Sequence, residues 1–499
     1  MSFATVYCRT HVGIEAPRVH VEVHLAGGLP GFYMVGVPEA AVRESKDRVR
    51  SALINSGFEF PASRITVNLA PANVPKEGGN FDLSIAIGIL AASGQIKCSE
   101  LKGFELYGEL SLSGELRHMR GALSIAIATL EKKITVIIPA LSLDATRGAG
   151  NKNVLGARTL VDVAGFIDGK IGLERPAPND PEPVPEDAPD FCEVRGQPFA
   201  CRALEIAAAG SHHVLMRGPP GSGKSMLAKR LPTILPGLER EQYLQSAILY
   251  DVAGLVRTPR AWHLPSFRAP HHTLSGVALV GGGRVPLPGE ISLAHFGVLF
   301  LDELPEFSRR TLEVLRQPLE EGRVLISRAA GRMTYPCHFQ LVAAMNPCPC
   351  GYAHDTKREC ACSPSQIARY MSKISGPLLD RIDLHLNVPR PSANILAGGG
   401  AKADTSAEIR RRVMAARQIQ AKRGGSNRDL SAATLNSSEL VSDDARKLLC
   451  EVTERKALSA RSWFKALRVA RTIADLAAEE RVGRLHIAEA LNLRMLDVT

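Results

Sequence analysis

The spacing of apolar and polar positions changes several times along the chain, and each change predicts an element. Val19–Leu25, Ile65–Leu69 and Thr135–Pro139 read as strands, whereas Glu39–Ser56, Leu83–Ala92 and Ala122–Lys132 carry helical spacing. Their mixture predicts an α/β domain of about 170 residues. A second block opens with a helix over Phe199–Ala209, followed by apolar runs at His213–Met216, Gly297–Leu301 and Phe339–Met345. Uniformly apolar strands separated by helices predict a parallel sheet covered on both faces. From Ser406 to Asn492 the pattern is helical and rich in Ala, Leu and Arg, which predicts a small helical domain.

Between the first two blocks lies Arg175–Asp190, RPAPNDPEPVPEDAPD, whose prolines and acids predict an extended tether. The chain therefore divides into residues 1–174, a linker at 175–190, a core at 191–392 and a helical domain at 393–499. Its 499 residues fit several domains of ~150 residues each. No apolar run reaches the ~18 residues of a membrane span, and the start, MSFATVYCRTHVG, lacks a basic end followed by an apolar stretch. A cytoplasmic protein with no membrane partner is expected.

The net charge of +10 favours an anionic partner, and its distribution is uneven. Glu408–Arg428 carries Arg410, Arg411, Arg412, Arg417, Lys422, Arg423 and Arg428 against one acid. A solvated helix face and a nucleic-acid contact both fit that run. Four of the ten cysteines cluster as Cys348, Cys350, Cys360 and Cys362. In a reducing compartment such clustering points to metal before disulfides. Four thiolates suffice for a closed tetrahedral zinc site, although the single-residue gaps are tighter than usual, and His354 is a substitute ligand. Reduced cysteines bracing a loop are the alternative.

Gly218-Pro219-Pro220-Gly221-Ser222-Gly223-Lys224-Ser225, with Met226 next on the helix, matches the phosphate-binding P-loop at every defined position. Glycines let successive N–H groups face the phosphates at the start of a helix. Lys224 is placed to reach the β and γ phosphates, and Ser225 offers a hydroxyl to magnesium. Val298–Leu301 then delivers Asp302 to the magnesium shell and Glu303 to the attacking water. Asn346, after the next apolar strand, is suitably polar to position that water. Arg381, in the apolar run Leu378–Asp383, reads in this order of motifs as a finger for the nucleotide of a neighbouring subunit.

Together these motifs resemble AAA+ ATPases, in the branch of magnesium chelatase motors and minichromosome maintenance helicases. Phe267–Phe307, Asn346–Tyr352, Ser375–His385 and Leu458–Leu476 narrow the resemblance to the YifB/ComM family of magnesium-chelatase-like proteins. That resemblance implies a homo-hexameric, ATP- and magnesium-dependent DNA helicase or translocase. It would promote branch migration on single-stranded and branched DNA during natural transformation and recombination. It also implies a lid arginine on the nucleotide, Arg461 by similarity, with Arg468 as competitor. A chelatase-type motor for metal insertion is the runner-up, and a Lon-like remodelling ATPase the third reading.

Pro75–Leu83, PKEGGNFDL, and Leu106–Ala128 resemble the proteolytic domain of Lon proteases. Asn80 stands where that family has its serine, and Leu123 where it has its lysine. An amide is no nucleophile and a leucine no base, so no protease activity is expected. The fold class is thus a Lon-like α/β domain, an AAA+ P-loop core and a helical lid. Two loops have the form of pore loops that would grip DNA. Thr273–Pro288 carries Arg284, and Gly322–Pro336 reads as a hairpin bearing Arg328 and Arg332. Ion pairs with acids on neighbouring subunits are the other use for these arginines.

Overall fold

The computed structural model describes residues 2–36, 44–74, 76, 78–97, 101–177, 189–255, 262–283, 286–328, 331–353, 355, 358–392, 395, 404–437, 439–456 and 458–494. Arg284 and His354 lie outside the described residues, as does most of the proline-rich linker, and Arg328 is described by its backbone alone.

The first sheet has seven strands: β1 (Phe3–Arg9), β2 (Arg18–Ala26), β3 (Gly31–Val35), β4 (Arg64–Ala70), β5 (Phe104–Leu106), β6 (Thr135–Pro139) and β7 (Val154–Ala157). Their order is β3-β4-β2-β1-β5-β6-β7. The pairs β1/β2 and β2/β4 are antiparallel and the others parallel. Strands β1, β2 and β4 alternate buried and exposed positions, so one face takes the apolar residues. Helix Asp82–Ala92 covers that face and is buried at every position, as a helix apolar all round must be. Gly88 allows this close approach, because a Cβ there would sit 2.6 Å from Val23 Cγ2.

The helix predicted at Ala122–Lys132 ends at Ala128. The Thr129 hydroxyl turns back to Ile125 O at 2.9 Å, and Asn151 Nδ2 takes Ala126 O at 2.8 Å. The last carbonyls are thereby satisfied without another turn. At the other end, Leu123 N donates to Asp251 Oδ2 at 2.7 Å, and Asp251 belongs to helix Arg240–Val252 of the following core. Arg240 reaches back to Ala149 O at 3.2 Å, and Trp262 lies against Gly148 so closely that a Cβ there has no room. The two α/β units share one apolar core through these contacts.

In the second unit, β8 (Val214–Arg217) and β9 (Phe267–Arg268) precede a short pair, β10 (Gly281–Gly282) and β11 (Leu287–Pro288). Next come β12 (Val298–Leu301), the hairpin β13 (Arg323–Arg328) and β14 (Gly331–Pro336), then β15 (Gln340–Met345) and β16 (Leu384–Asn387). The order β16-β8-β15-β12-β9 is parallel throughout; β12 is apolar along its length, and β8 and β15 are apolar apart from Arg217 and Gln340. Within the predicted loop at Thr273–Pro288, Ser275 caps a short helix over Gly276–Val280. Helices Ser406–Lys422, Asp443–Lys456, Ala460–Leu476 and Arg484–Asn492 form the lid, which packs on helix Pro198–Gly210.

Asp383 fastens lid to core. Its carboxylate accepts His213 N at 2.9 Å and pairs with Lys465 Nζ of the lid at 2.9 Å. Burial would raise its pKa, but Lys465 and the two histidines outweigh that and hold it below the ordinary carboxylate range. Asp383→Asn should cost about 3 kcal/mol in urea unfolding followed by tryptophan fluorescence, because Lys465 is left buried without its partner. A depressed carboxyl stabilises above its unfolded pKa, so the gap between the two proteins should hold from pH 7 to about pH 4 and close below that.

Candidate nucleotide site

All five strands of the second sheet run the same way, and three of the predicted groups lie at their carboxyl ends. Gly218 follows β8, Asp302 follows β12 and Asn346 follows β15. Gly221 and Gly223 have φ of 75° and 94°, the left-handed region that favours glycine. Gly218 is fixed for a different reason, since a Cβ there would lie 2.2 Å from Val388 O. The loop then feeds helix Lys224–Ile234, whose free N–H groups face the cradle. Lys224 Nζ donates to Gly218 O at 2.7 Å, Pro219 O at 2.9 Å and Asn346 Oδ1 at 3.3 Å. Burial lowers its pKa from the usual lysine value, with Asp302 and Glu303 opposing. An ammonium held by neutral acceptors in a half-buried cradle fits a phosphate ligand.

Ser225 Oγ donates to Asp302 Oδ2 at 2.6 Å, so the two expected magnesium-side residues meet. Glu303 has φ 52°, strained for a residue with a side chain, and its carboxylate is half exposed beside this pair. His272 Nδ1 approaches Glu303 Oε2 at 3.5 Å. The donor set suits a magnesium nucleotide: a hydroxyl and a carboxylate for the cation, N–H groups and an ammonium for the phosphates.

The four cysteines form a knuckle directly after Asn346. Their sulfurs all lie within 4.8 Å of one another. Cys348 Sγ is 3.3 Å from Cys350 Sγ and 3.6 Å from Cys360 Sγ, far beyond a disulfide and close to the ~3.8 Å edge of a tetrahedron with ~2.3 Å metal–sulfur bonds. Cys350 N and Ala353 N donate to Cys362 Sγ and Cys348 Sγ at 3.4 and 3.2 Å, the kind of backbone bonds that orient metal-binding sulfurs. The knuckle also touches the P-loop: a Cβ on Gly351 would meet Pro220 Cδ at 2.6 Å. Arg390 donates to Pro220 O at 3.1 Å while lying over the Tyr352 ring at 5.5 Å.

Arg381 is elsewhere. Asp383 and Leu384 donate to His213 O at 3.1 and 2.9 Å, which puts the preceding Arg381 at the amino ends of β8 and β16. Four strand residues, ~13 Å, separate that end from the P-loop. A cavity of about 510 Å³ opens there, lined among others by Arg381, Arg461, Lys465, Arg468 and Glu320. Arg461 is exposed and makes no hydrogen bond with a described residue, whereas Arg468 donates to Leu430 O at 3.1 and 2.8 Å. The two rival lid arginines thus share a cavity with Arg381 and not with Lys224.

Asn80 lines a second cavity of about 350 Å³, closed from the core side by Pro286, Leu287, Met333 and Tyr335. Leu123 does not face Asn80 there; it is buried at 1 % exposure in the apolar core. On the hairpin, Arg332 is exposed while Met333 and Tyr335 are buried. Most of the basic segment is spent within the chain. Arg410 donates to Thr233 O, Arg412 pairs with Glu205, Arg417 donates to Ala208 O at 2.6 Å and Arg423 pairs with Asp475. Arg390, Gln197, which donates to Ser222 O at 3.3 Å, and His272, inside the family-like segment Phe267–Phe307, border the candidate nucleotide site without having been singled out by the sequence.

Residues 190–396 match the family described as magnesium chelatase, subunit ChlI. Residues 21–142 match the description subunit ChlI of Mg-chelatase, and 403–494 the ChlI C-terminal part. The uncharacterized protein YifB of Escherichia coli is 46% identical over 503 residues, covering 100% of this chain and 98% of its own. Competence protein ComM of Haemophilus influenzae is 46% identical over 509 residues, covering 99% and 98%. Lon protease 2 of Bacillus subtilis is 26% identical over 146 residues, 28% of this chain and 26% of its own. With full-length identity at that level and three chelatase-type matches in series, the chain belongs to the YifB/ComM family of magnesium-chelatase-like AAA+ proteins.

Proposed function

We propose that this protein is an ATP hydrolase that works as a ring, and that its track is branched and single-stranded DNA.

 The observation that carries the ring is the distance between Lys224 and Arg381, which sit at opposite ends of one parallel sheet. One subunit cannot bring both to one nucleotide. A neighbour supplying Arg381 and Arg461 completes the site, and a closed homo-hexamer is the arrangement expected of this family.

The bound magnesium nucleotide supplies the γ-phosphoryl group and the charge that neutralises it. Lys224 would exchange the Gly218 and Pro219 carbonyls for phosphate oxygens, while Ser225 and Asp302 would hold the cation. Glu303 takes the proton of the attacking water, and Asn346 orients that water from the adjacent strand. The DNA reading rests on the exposed Arg332 of the hairpin and on the competence name of a full-length relative. A chelatase-type motor is the second reading, favoured by the family description, and indifference of ATP hydrolysis to DNA would select it. Peptide hydrolysis is not part of the proposal, because neither Asn80 nor Leu123 has the chemistry of a serine–lysine pair. The cysteine knuckle is proposed to hold one structural zinc that braces Asn346 and Pro220.

Three expectations follow from these assignments. Lys224→Ala should weaken binding of a fluorescent ATP analogue at least tenfold, while Glu303→Gln should bind it normally and turn over about 10²-fold more slowly. Elemental analysis of freshly purified protein should find one zinc per chain, and Cys360→Ser should lose the metal together with ATP affinity. Arg328→Ala combined with Arg332→Ala should lower affinity for single-stranded DNA, flatten its salt dependence by about two units of slope at most and stop unwinding of a fork, with basal hydrolysis retained.

A further inference from the structure

Arg381 is not free in the cavity it lines. Its Nη2 pairs with Glu320 Oε1 at 2.5 Å, and its Nη1 donates to Pro377 O at 2.7 Å. The arginine side chain is only 11 % exposed in this position, while Glu320 is 51 % exposed. The Arg381 Nε is buried and has no hydrogen-bond partner among the described residues. A guanidinium carries five donors in one plane, so this resting place leaves the group incompletely satisfied. The grip is specific and at the same time weak, since a half-exposed ion pair is readily exchanged for another anion.

Glu320 sits in the last turn of helix Arg316–Glu321. Gly322 follows with φ 63° and leads straight into β13 of the hairpin. Cys337 N donates to Gly322 O at 2.8 Å, which closes the hairpin base on that same residue, and Arg323 Nε pairs with Glu321 Oε2 at 3.3 Å. A Cβ on Gly322 would lie 2.3 Å from the His338 ring, so the joint is packed as well as bonded. A displacement of the hairpin therefore carries the end of this helix, and Glu320 with it.

We infer that Glu320 is a positioning residue that anchors the finger to its own subunit, and that DNA on the hairpin releases it toward the neighbour's nucleotide. This rests on the reading of Arg381 as a finger acting in trans. It adds a physical link between the track and the chemistry: the same short helix ends in the anchor and begins the hairpin.

The test is steady-state ATP hydrolysis by the full-length protein, with and without a single-stranded oligonucleotide. It compares wild type, Glu320→Gln, Glu320→Asp, Arg381→Ala and the Glu320→Gln/Arg381→Ala double variant. Glu320→Gln should raise basal kcat about threefold with KM unchanged, and shrink the stimulation by DNA in proportion, within what an exposed ion pair holds back. Glu320→Asp should restore part of the stimulation, and the double variant should be as inactive as Arg381→Ala. If Glu320→Gln keeps wild-type basal kcat and full stimulation while Arg381→Ala is inactive, the anchor is wrong and the finger stands. A fall of Glu320→Gln to the level of Arg381→Ala also overturns the anchor, because Glu320 would then be aiming the finger. Normal turnover by Arg381→Ala removes the finger itself, and the anchor with it.

Discussion

A parallel sheet has two chemically different ends, and that polarity governs this molecule. The carboxyl ends of β8, β12 and β15 collect Lys224, Asp302 and Asn346, while the amino ends of β8 and β16 collect Asp383 and the cavity of Arg381. Between the two ends run the central strands β8, β15 and β12, each hydrogen-bonded to a neighbour on both sides and packed inside the core. The lid inherits the same polarity: Lys465 binds Asp383, which sets Arg461 and Arg468 at the amino ends.

The knuckle and the P-loop illustrate a second kind of dependence, in which a short segment serves two sites. Only Pro347 separates Asn346 from Cys348, and Gly351 lies against Pro220. Whatever fixes the sulfurs also fixes the amide beside Lys224. The cluster therefore belongs to the nucleotide site mechanically, although none of its donors faces the phosphate cradle.

The geometry of the candidate nucleotide site was legible in the sequence because its residues are bound by local rules: glycines at fixed offsets, and carboxylates at the ends of apolar runs. Strand positions followed from unbroken apolar stretches for the same reason. The arginines of Glu408–Arg428 were not legible, because a basic helix looks the same whether its partners are solvent, DNA or carbonyls such as Thr233 O and Ala208 O. The early end of the helix at Ala128 depended on Asn151, and the cap on Leu123 on Asp251, more than a hundred residues away. Long-range partners of that kind leave no local periodicity. Arg461 and Arg468 share a helix and differ in exposure and in whether Leu430 O is within reach, which sequence spacing does not encode.

The bond from Leu123 N to Asp251 fixes the backbone at the position where the Lon-like resemblance would put a lysine. A catalytic lysine at 123 would have to leave an ammonium where the leucine is packed in the apolar core. The backbone on which it would stand is now tied to another domain, and the cavity at Asn80 is roofed by Pro286 and Tyr335. Changing the two side chains alone would not reopen the cleft. The fold around these two positions, and not only the side chains at them, separates this domain from a paired serine and lysine.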